Sequence, residues 1–290
     1  MKYQLANDKM QITVDEHGAE LRSLLGASGR EYLWQADPKY WGRTSPVLFP
    51  FVGMPKDKEF SYQGKTYPMG QHGFARDRDF RLLKQEGTAL EFMLESDEDS
   101  LKVYPFKFRL RIRYELEGSS VRVIWRVQNT GDELMHFSIG AHPAFYCPLE
   151  EGESTCRLGF DHAGPLDYQQ ITGEGLCLPE TKQLTLNDRK WAFEKSAFDD
   201  GVYIFTDYQL HQVSMLDKNN RPYLTVDFHA PLVGIWSPEK KNAPFICIEP
   251  WYGRCDPADE KPTLENRPYG NQLPGGAEFR AEYTISIHEQ

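Results

Sequence analysis

Apolar and charged side chains alternate along residues 106–117 with a period of two. One set is apolar and consists of Phe106, Phe108, Leu110, Ile112, Tyr114 and Leu116. The intervening set is charged and consists of Lys107, Arg109, Arg111, Arg113, Glu115 and Glu117. Successive side chains of a β-strand point to opposite faces of the sheet, so this pattern predicts a strand with one face buried and the other in water.

The same alternation continues in 121–129, and the intervening Glu-Gly-Ser-Ser at 117–120 predicts a hairpin connection. Similar or shorter β-rich runs cover 10–14, 90–95, 201–206, 212–216, 223–229, 245–249 and 279–288. Apolar residues at helical spacing do not persist beyond about two turns anywhere. The pattern therefore predicts an all-β fold, with antiparallel strands in a sandwich or barrel. No repeat or linker marks a boundary, so we expect residues 1–290 to form a single domain.

Composition narrows the range of partners. The 290 residues include 43 acidic and 33 basic side chains, a net charge of −10, which repels phosphate backbones and anionic lipids. We therefore expect neither a nucleic-acid nor a membrane partner. No apolar run approaches the roughly 20 residues of a membrane span, and the first ten residues lack the apolar core of a signal peptide. These features predict a cytoplasmic protein.

Five cysteines, at positions 147, 156, 177, 247 and 255, form no Cys-x-x-Cys pair. A zinc cage or a thioredoxin-like site would need that close spacing, so we expect reduced thiols and no metal site. Phosphate-loop, dinucleotide-binding, nucleophile-elbow and H-E-x-x-H motifs are also absent from the sequence.

Two titratable side chains lie where strand patterns end. His142 directly precedes a proline, which ends a strand and leaves the imidazole at the mouth of a loop. Alternation places Glu249 on the same strand face as Cys247, with Ile248 on the opposite face. Loss of water at the end of this apolar strand would raise the pKa of Glu249 and make it a better base. The simpler alternatives are a histidine bonded to a backbone carbonyl, and a structural carboxylate bonded to Arg254 or to a backbone amide.

Two further segments carry side chains suited to hydroxyl groups or anions. His72 is followed by Gly73, whose backbone freedom allows the ring to be placed closely. Arg76 follows in the same segment, and Arg43 directly precedes another apolar run. Each arginine can hold a sugar hydroxyl or a phosphate, although a solvated arginine is the simpler interpretation.

Four motifs occur together and in order: R-T-S-P-V-L-F-P-F-V-G at 43–53, H-G-F-A-R at 72–76, G-A-H-P-A-F at 140–145 and I-E-P-W-Y-G at 248–253. In this combination the chain resembles the aldose 1-epimerase (galactose mutarotase-like) superfamily, and within it the LacX-like and hexose-6-phosphate 1-epimerase-like branch. The resemblance implies a large antiparallel β-sandwich, the galactose mutarotase-like supersandwich, whose concave face binds a sugar.

The resemblance also implies roles for individual residues. His142 matches the general acid of the family and Glu249 its general base. His72 matches the second histidine, which contacts the sugar near its ring oxygen or at its hydroxyl groups. It implies an epimerase that needs no cofactor, because ring opening and closure move protons and no electrons. The implied partner is a small sugar, an aldohexose or its phosphate, and the sequence is compatible with a homodimer.

Further substrate-binding positions follow from the same resemblance. Arg43 and Arg76 match the substrate-binding arginines of the hexose-phosphate branch. Asp200 matches the substrate-binding aspartate of the family, with Asp199 as a competing choice. Trp236 stands where the family places an aromatic ring against the sugar.

The chain also departs from the galactose mutarotases. It reads H-P-A-F-Y-C-P where they have H-P-Y-F-N-L, and I-E-P-W where they have L-E-T-Q. These differences leave the acid and the base in place. Because of them, the resemblance does not imply galactose as the substrate. Three hypotheses follow: an aldose or hexose-6-phosphate 1-epimerase, a non-catalytic carbohydrate-binding protein, and a glycosidase using Asp227 with Glu249.

Overall fold

The computed structural model describes residues 1–149 and 152–289. Within these ranges the chain is built from short β-strands. The strands of the first half are β1 (Lys2–Ala6), β2 (Met10–Asp15), β3 (Glu20–Gly26), β4 (Val47–Leu48), β5 (Glu59–Tyr62), β6 (Lys65–Pro68), β7 (Arg81–Glu86), β8 (Ala89–Glu95), β9 (Phe108–Glu117), β10 (Ser120–Asn129), β11 (Met135–Phe137), β12 (Ile139–Ala141) and β13 (Ala144–Tyr146).

The second half continues with β14 (Cys156–Phe160), β15 (Leu166–Gln169), β16 (Lys182–Leu184), β17 (Lys190–Phe193), β18 (Tyr203–Phe205), β19 (Gln212–Leu216), β20 (Pro222–Phe228), β21 (Leu232–Trp236), β22 (Phe245–Tyr252), β23 (Asn271–Leu273) and β24 (Glu278–Ile287). Every segment that alternation predicts as a strand contains one of these elements, so the all-β prediction is confirmed.

Helical structure in the described residues is limited to short pieces. One α-helix, α1, covers Glu98–Val103, and 3₁₀ turns cover Lys56–Lys58, Ala75–Asp77, Lys195–Phe198 and Leu264–Asn266. The Asp97 carboxylate accepts a hydrogen bond from the Ser100 amide at 2.7 Å, which caps the start of α1. In the part of the chain described here, none of these helices has the length and apolarity needed to cross a membrane.

Two large antiparallel sheets make up the sandwich. The nine-stranded sheet has the order β17-β14-β19-β20-β24-β10-β9-β8-β7. The eight-stranded sheet has the order β16-β15-β18-β21-β22-β12-β4, with β13 pairing to β22 as its eighth strand. The predicted hairpin is confirmed, because Glu117 pairs with Ser120 and Gly118 turns with a φ of +56°.

The main apolar core lies between these two sheets. Ile112 on β9 and Val123 on β10 contribute to it from the larger sheet. Ile246 and Ile248 on β22 contribute to it from the other sheet. Full burial of one such side chain stabilises the fold by about 1.5–3 kcal/mol. The other face of β22, which carries Glu249, is therefore turned away from this core. All five cysteines are buried and free of disulfides.

Candidate active site

A cleft of about 370 Å³ lies on the face of the eight-stranded sheet that is turned away from the main core. Strands β18, β21 and β22 line it with Ile204, Trp236, Glu249 and Trp251. Loops supply most of the other lining residues, chiefly from 53–54, 71–76 and 171–175. The volume falls in the range of small-molecule sites in proteins.

Strand pairing brings His142 and Glu249 together. Before His142, Gly140 on β12 pairs with Trp251, and after it Ala144 on β13 pairs with Cys247. Residue 142 therefore lies opposite residue 249 in the antiparallel register. His142 Nε2 is 3.2 Å from Glu249 Oε2, and both side chains are buried.

Close packing maintains this register. A Cβ atom on Gly140 would lie 2.7 Å from Cδ1 of Trp251, so only glycine lets the indole lie across β12. The Ile248 amide donates to the carbonyl of Pro143 at 3.3 Å, between the two strand pairings. The chain on both sides of His142 is thus hydrogen-bonded to β22.

Burial shifts the two pKa values in opposite directions. It raises the pKa of Glu249 well above its ordinary value, and the Trp251 side chain opposes part of that rise. It lowers the pKa of His142 to about 3, with the positive charges of Arg76 and Arg43 adding to the effect. Each group therefore favours its neutral form. Together they hold one dissociable proton, and the directions of the two pKa shifts favour Glu249 as its carrier.

His72 lies beside this pair, with its ring centroid 5.5 Å from that of His142. Its Nδ1 accepts a hydrogen bond from the Gly53 amide at 3.1 Å. Burial, together with the proximity of His142 and Arg76, lowers the pKa of His72 well below its ordinary value. A neutral ring that accepts at Nδ1 carries its proton on Nε2, so His72 is a hydrogen-bond donor at that atom.

The glycine after His72 is required by the local geometry. Gly73 has a φ of +69°, and a Cβ atom there would lie 2.3 Å from the carbonyl oxygen of Phe49. His72 itself has a φ of +67°. The close placement that the sequence predicts for the His72 ring thus depends on a turn packed directly against residues 49 and 50.

The two predicted arginines occupy different positions. Arg76 lines the cleft and donates to the carbonyl of Gln71 at 2.8 Å. Burial lowers its pKa to about 10, and the nearby Arg43 contributes to that lowering. Arg43 is not part of the lining and donates to Asp77 Oδ1 at 2.7 Å. Arg76 is therefore the one of the two that can touch a molecule in the cleft directly.

Of the remaining predicted residues, one lies in the cleft lining and two lie outside it. Trp236 lines the cleft and meets the His142 ring edge to face, with the centroids 5.5 Å apart. Asp200 is exposed and lies outside the lining, and its main-chain carbonyl accepts a hydrogen bond from the Gln170 side chain at 3.2 Å. The Asp199 carboxylate accepts from the Lys240 amide at 2.9 Å and does not line the cleft either.

Asp227, the second carboxylate of the glycosidase hypothesis, lies on β20 of the nine-stranded sheet. It accepts a hydrogen bond from Gln212 at 2.7 Å and is absent from the lining. Glu249 belongs to the other sheet, so these two carboxylates do not flank one cleft.

Sequence reasoning did not select several residues that line the cleft. They are Trp41, Gln71, Glu174, Glu239 and Trp251. Trp251 is part of the I-E-P-W-Y-G motif and Trp41 directly precedes the G-R-T-S-P segment, so both were within reach of a motif argument. Glu174 and Glu239 belong to turns far from any motif, and only the tertiary fold brings them to the cleft.

His142, Cys247 and Glu249 are the described residues whose ligand atoms could hold a metal ion. Their ligand atoms lie within 4.8 Å of one another and all three residues are buried. Burial raises the pKa of both the Cys247 thiol and the Glu249 carboxyl well above their ordinary values. Thiolate and carboxylate are the ligand forms, so this burial opposes metal binding.

Comparison with known proteins finds relatives over nearly the whole chain. The family model described as aldose 1-epimerase matches residues 1–285 of the chain. Two curated LacX proteins of Lactococcus lactis subsp. lactis, one chromosomal and one from a plasmid, are each 32% identical to it over 304 aligned positions. Each alignment covers 99% of this chain and 99% of the relative.

Solved structures share the complete fold. A galactose mutarotase related enzyme from Lactobacillus acidophilus superimposes with a TM-score of 0.93 at 34% identity, covering 100% of this chain and 98% of the other. A galactose mutarotase-like protein from Lactobacillus casei gives a TM-score of 0.93 at 29% identity, with coverages of 99% and 100%. The sandwich is thus a galactose mutarotase-like fold, and the chain belongs to the aldose 1-epimerase family.

Proposed function

We propose that this protein is an aldose 1-epimerase that interconverts the α and β anomers of an aldohexose by acid and base catalysis. The observation that supports this most directly is the 3.2 Å contact between His142 and Glu249 inside a cleft large enough for a monosaccharide. The hydroxyl oxygen and the ring oxygen that exchange protons in this reaction are bonded to the same carbon. Two catalytic groups that act on them must therefore lie close together.

The reaction is a balanced transfer of protons. Glu249 accepts the proton of the C1 hydroxyl while His142 donates a proton to the ring oxygen, and the C1–ring oxygen bond breaks to give the open aldehyde. Rotation about the C1–C2 bond presents the other face of the carbonyl. The ring oxygen then attacks C1 while the two groups exchange roles, which returns both protons and closes the ring as the other anomer.

The pair holds the number of protons that this exchange requires. Ring opening needs one group able to accept and one able to donate, which is one dissociable proton for two groups. The pKa shifts favour Glu249 as the carrier of that proton, and 3.2 Å separates its Oε2 atom from Nε2 of His142. When the proton is on Glu249, Glu249 is the donor and His142 is the acceptor. Microscopic reversibility requires this reversed assignment for ring closure.

The surrounding side chains suit an uncharged sugar. His72 Nε2 and the Arg76 guanidinium are donors for sugar oxygens, and Trp236 offers an apolar ring face. Arg76 is the arginine in the described lining, while Glu174 and Glu239 add two carboxyl groups besides that of Glu249, which favours its neutral form. Arg43 is already engaged by Asp77. This balance of charge favours a free aldohexose over its phosphate.

The proposal is tested by following the anomeric protons of freshly dissolved α-glucose, α-galactose and glucose 6-phosphate by NMR. We expect the wild-type protein to accelerate equilibration of a free hexose above the rate in buffer. His142→Ala and Glu249→Gln should each lower the rate by about 10²–10⁴-fold.

His211→Ala is the matched control, because His211 is exposed and lies outside the cleft lining. It should retain the wild-type rate. Wild-type rates in both His142→Ala and Glu249→Gln would overturn the assignment. Saturable sugar binding without any acceleration would identify a non-catalytic carbohydrate-binding protein, and acceleration with glucose 6-phosphate alone would identify a hexose-6-phosphate epimerase.

A further inference from the structure

The His142 ring lacks the hydrogen bond that usually orients a catalytic imidazole. In most such sites the second ring nitrogen bonds to a carboxylate or a carbonyl, which fixes the orientation of the ring. Here Nδ1 is buried and makes no hydrogen bond to another described residue, and the main-chain group that acts on the ring is that of His142 itself. A contact from another residue must therefore hold the ring with Nε2 at 3.2 Å from Glu249 Oε2.

Three rings surround the imidazole, and one of them covers its face. Trp41 stacks on His142 with a centroid separation of 4.8 Å and an interplanar angle of 27°. His72 and Trp236 meet the ring nearly at right angles, at 88° and 82°, with centroids 5.5 Å away in each case. Stacking fixes the plane of a ring, because tilting it out of that plane would separate the two faces or make them collide.

Trp41 is itself firmly held, although it lies in a loop. Its carbonyl accepts a hydrogen bond from the indole of the buried Trp34 at 2.8 Å. Its amide donates to the carbonyl of Asp37 at 3.0 Å. Lys241 donates to the neighbouring Tyr40 carbonyl at 3.0 Å and ties this loop to the chain just before β22. These bonds fix the main chain of Trp41, and its ring packs against Trp236 and Phe245 with centroids 5.6 and 6.0 Å away. The indole can therefore serve as a rigid surface for its neighbour.

We propose that Trp41 is the positioning residue for His142, holding the imidazole by stacking where no other described residue supplies an orienting hydrogen bond. This proposal rests on the proposed epimerase function and names a residue of the same site. The indole face also stabilises the imidazolium that forms during each turnover, since a cation over an aromatic face is attracted to it. The titratable and charged groups around His142 are Glu249 and Cys247 from β22, His72 and Arg76 from the 71–76 loop, and Arg43 beyond them.

The test compares Trp41→Leu, Trp41→Phe and Trp191→Leu. Leucine keeps apolar bulk without a ring, and phenylalanine keeps a ring that can stack. Trp191, like Trp41, is half-buried among aromatic side chains, but it lies on β17 outside the cleft lining. We expect Trp41→Leu to lower kcat roughly 10-fold with KM nearly unchanged, Trp41→Phe to recover most of it, and Trp191→Leu to match wild type.

NMR of the His142 ring protons provides a readout that does not depend on turnover. The stacked indole should shift these signals upfield, and the shift should be lost in Trp41→Leu and kept in part in Trp41→Phe. An unchanged His142 spectrum in Trp41→Leu would overturn the proposal even if wild type proved inactive on every sugar tried. A wild-type kcat in Trp41→Leu, an effect on KM alone, or equal losses in the leucine and phenylalanine variants would also overturn it.

Discussion

At the scale of single residues, the protonation of His142 and Glu249 is set by their burial. Two isolated groups of these kinds share a single proton only between the ordinary carboxyl and histidine pKa values, about 4.3 and 6.5. Burial moves the lower limit to the pKa of His142, about 3, and makes the raised pKa of Glu249 the upper limit. The pair therefore keeps one proton from about pH 3 up to the raised pKa of Glu249. The ordinary histidine pKa no longer limits this pH range.

This predicts the pH dependence of turnover. As the pH falls from 7 through 6.5 to about 5, kcat/KM should stay constant. The reason is that the pair takes up its second proton, on His142, only near pH 3. The alkaline limb should report the loss of the proton from Glu249. Initial rates of epimerisation, corrected for the buffer-catalysed rate at each pH, provide the measurement. An acidic limb with an apparent pKa near 6.5 would contradict the expectation.

Glu249 should also reduce the stability of the fold. A carboxyl whose pKa is raised on folding makes a destabilising contribution that is absent below its unfolded pKa and grows as the pH rises toward its folded pKa. Glu249→Gln removes that contribution and keeps the shape of the side chain. We expect this variant to melt a few degrees above wild type at pH 7 and at the same temperature as wild type near pH 4. Equal melting temperatures at pH 7 would show that the carboxyl is not buried in this way.

At the scale of structural elements, alternation succeeded because it reports which face of a strand is buried. The segment 245–249 predicts Glu249 opposite Ile248, and in the structure Ile248 lies in the main core while Glu249 lines the cleft. The pairing of β12 and β13 with β22 was beyond such reasoning, because it joins segments about a hundred residues apart. The motif resemblance supplied the association of His142 with Glu249 that periodicity could not.

The turn at Gly73 offers a matched test of local geometry. Gly73→Ala adds a Cβ atom 2.3 Å from the Phe49 carbonyl at a φ of +69°, whereas Gly64→Ala, at a φ of +75°, meets nothing within 4 Å. Both variants place alanine at a positive φ, which costs roughly 1–2 kcal/mol. Only Gly73→Ala also pushes against the main chain at Phe49. Chemical denaturation should show a clearly larger loss of stability for Gly73→Ala, with lower turnover through His72. Equal losses would contradict the packing argument.

At the scale of the whole molecule, sequence reasoning was limited by contacts that depend on the complete chain. It predicted the fold class and the motif residues, but not that Glu174 and Glu239 would reach the cleft from separate turns. It also selected Asp200 from a local motif, whereas the structure leaves that side chain exposed and outside the lining. Neither outcome could be read from neighbouring residues, because the tertiary fold decides which turns meet.

One buried ion pair should be critical to stability. Arg267 lies 2.9 Å from Asp256 with both side chains buried, and it donates to the Arg254 carbonyl at 2.9 Å. Asp256→Asn would leave the guanidinium without a counter-charge and should cost about 3–5 kcal/mol of unfolding free energy. Glu86→Gln, which alters an exposed pair with Lys84, is the control and should leave the melting curve unchanged. Similar curves for the two variants would contradict this expectation.

The pairing of β12 and β13 with β22 has a consequence for how such a protein can diversify. The separation of the reactive nitrogen and oxygen is dictated by main-chain ladders on both sides of His142, while Glu174 and Glu239 belong to turns outside those ladders. If the protein acts on a sugar as proposed, exchanging these turns should alter which sugar is admitted without moving His142 or Glu249. New preferences could then evolve around an unchanged pair through changes at its perimeter.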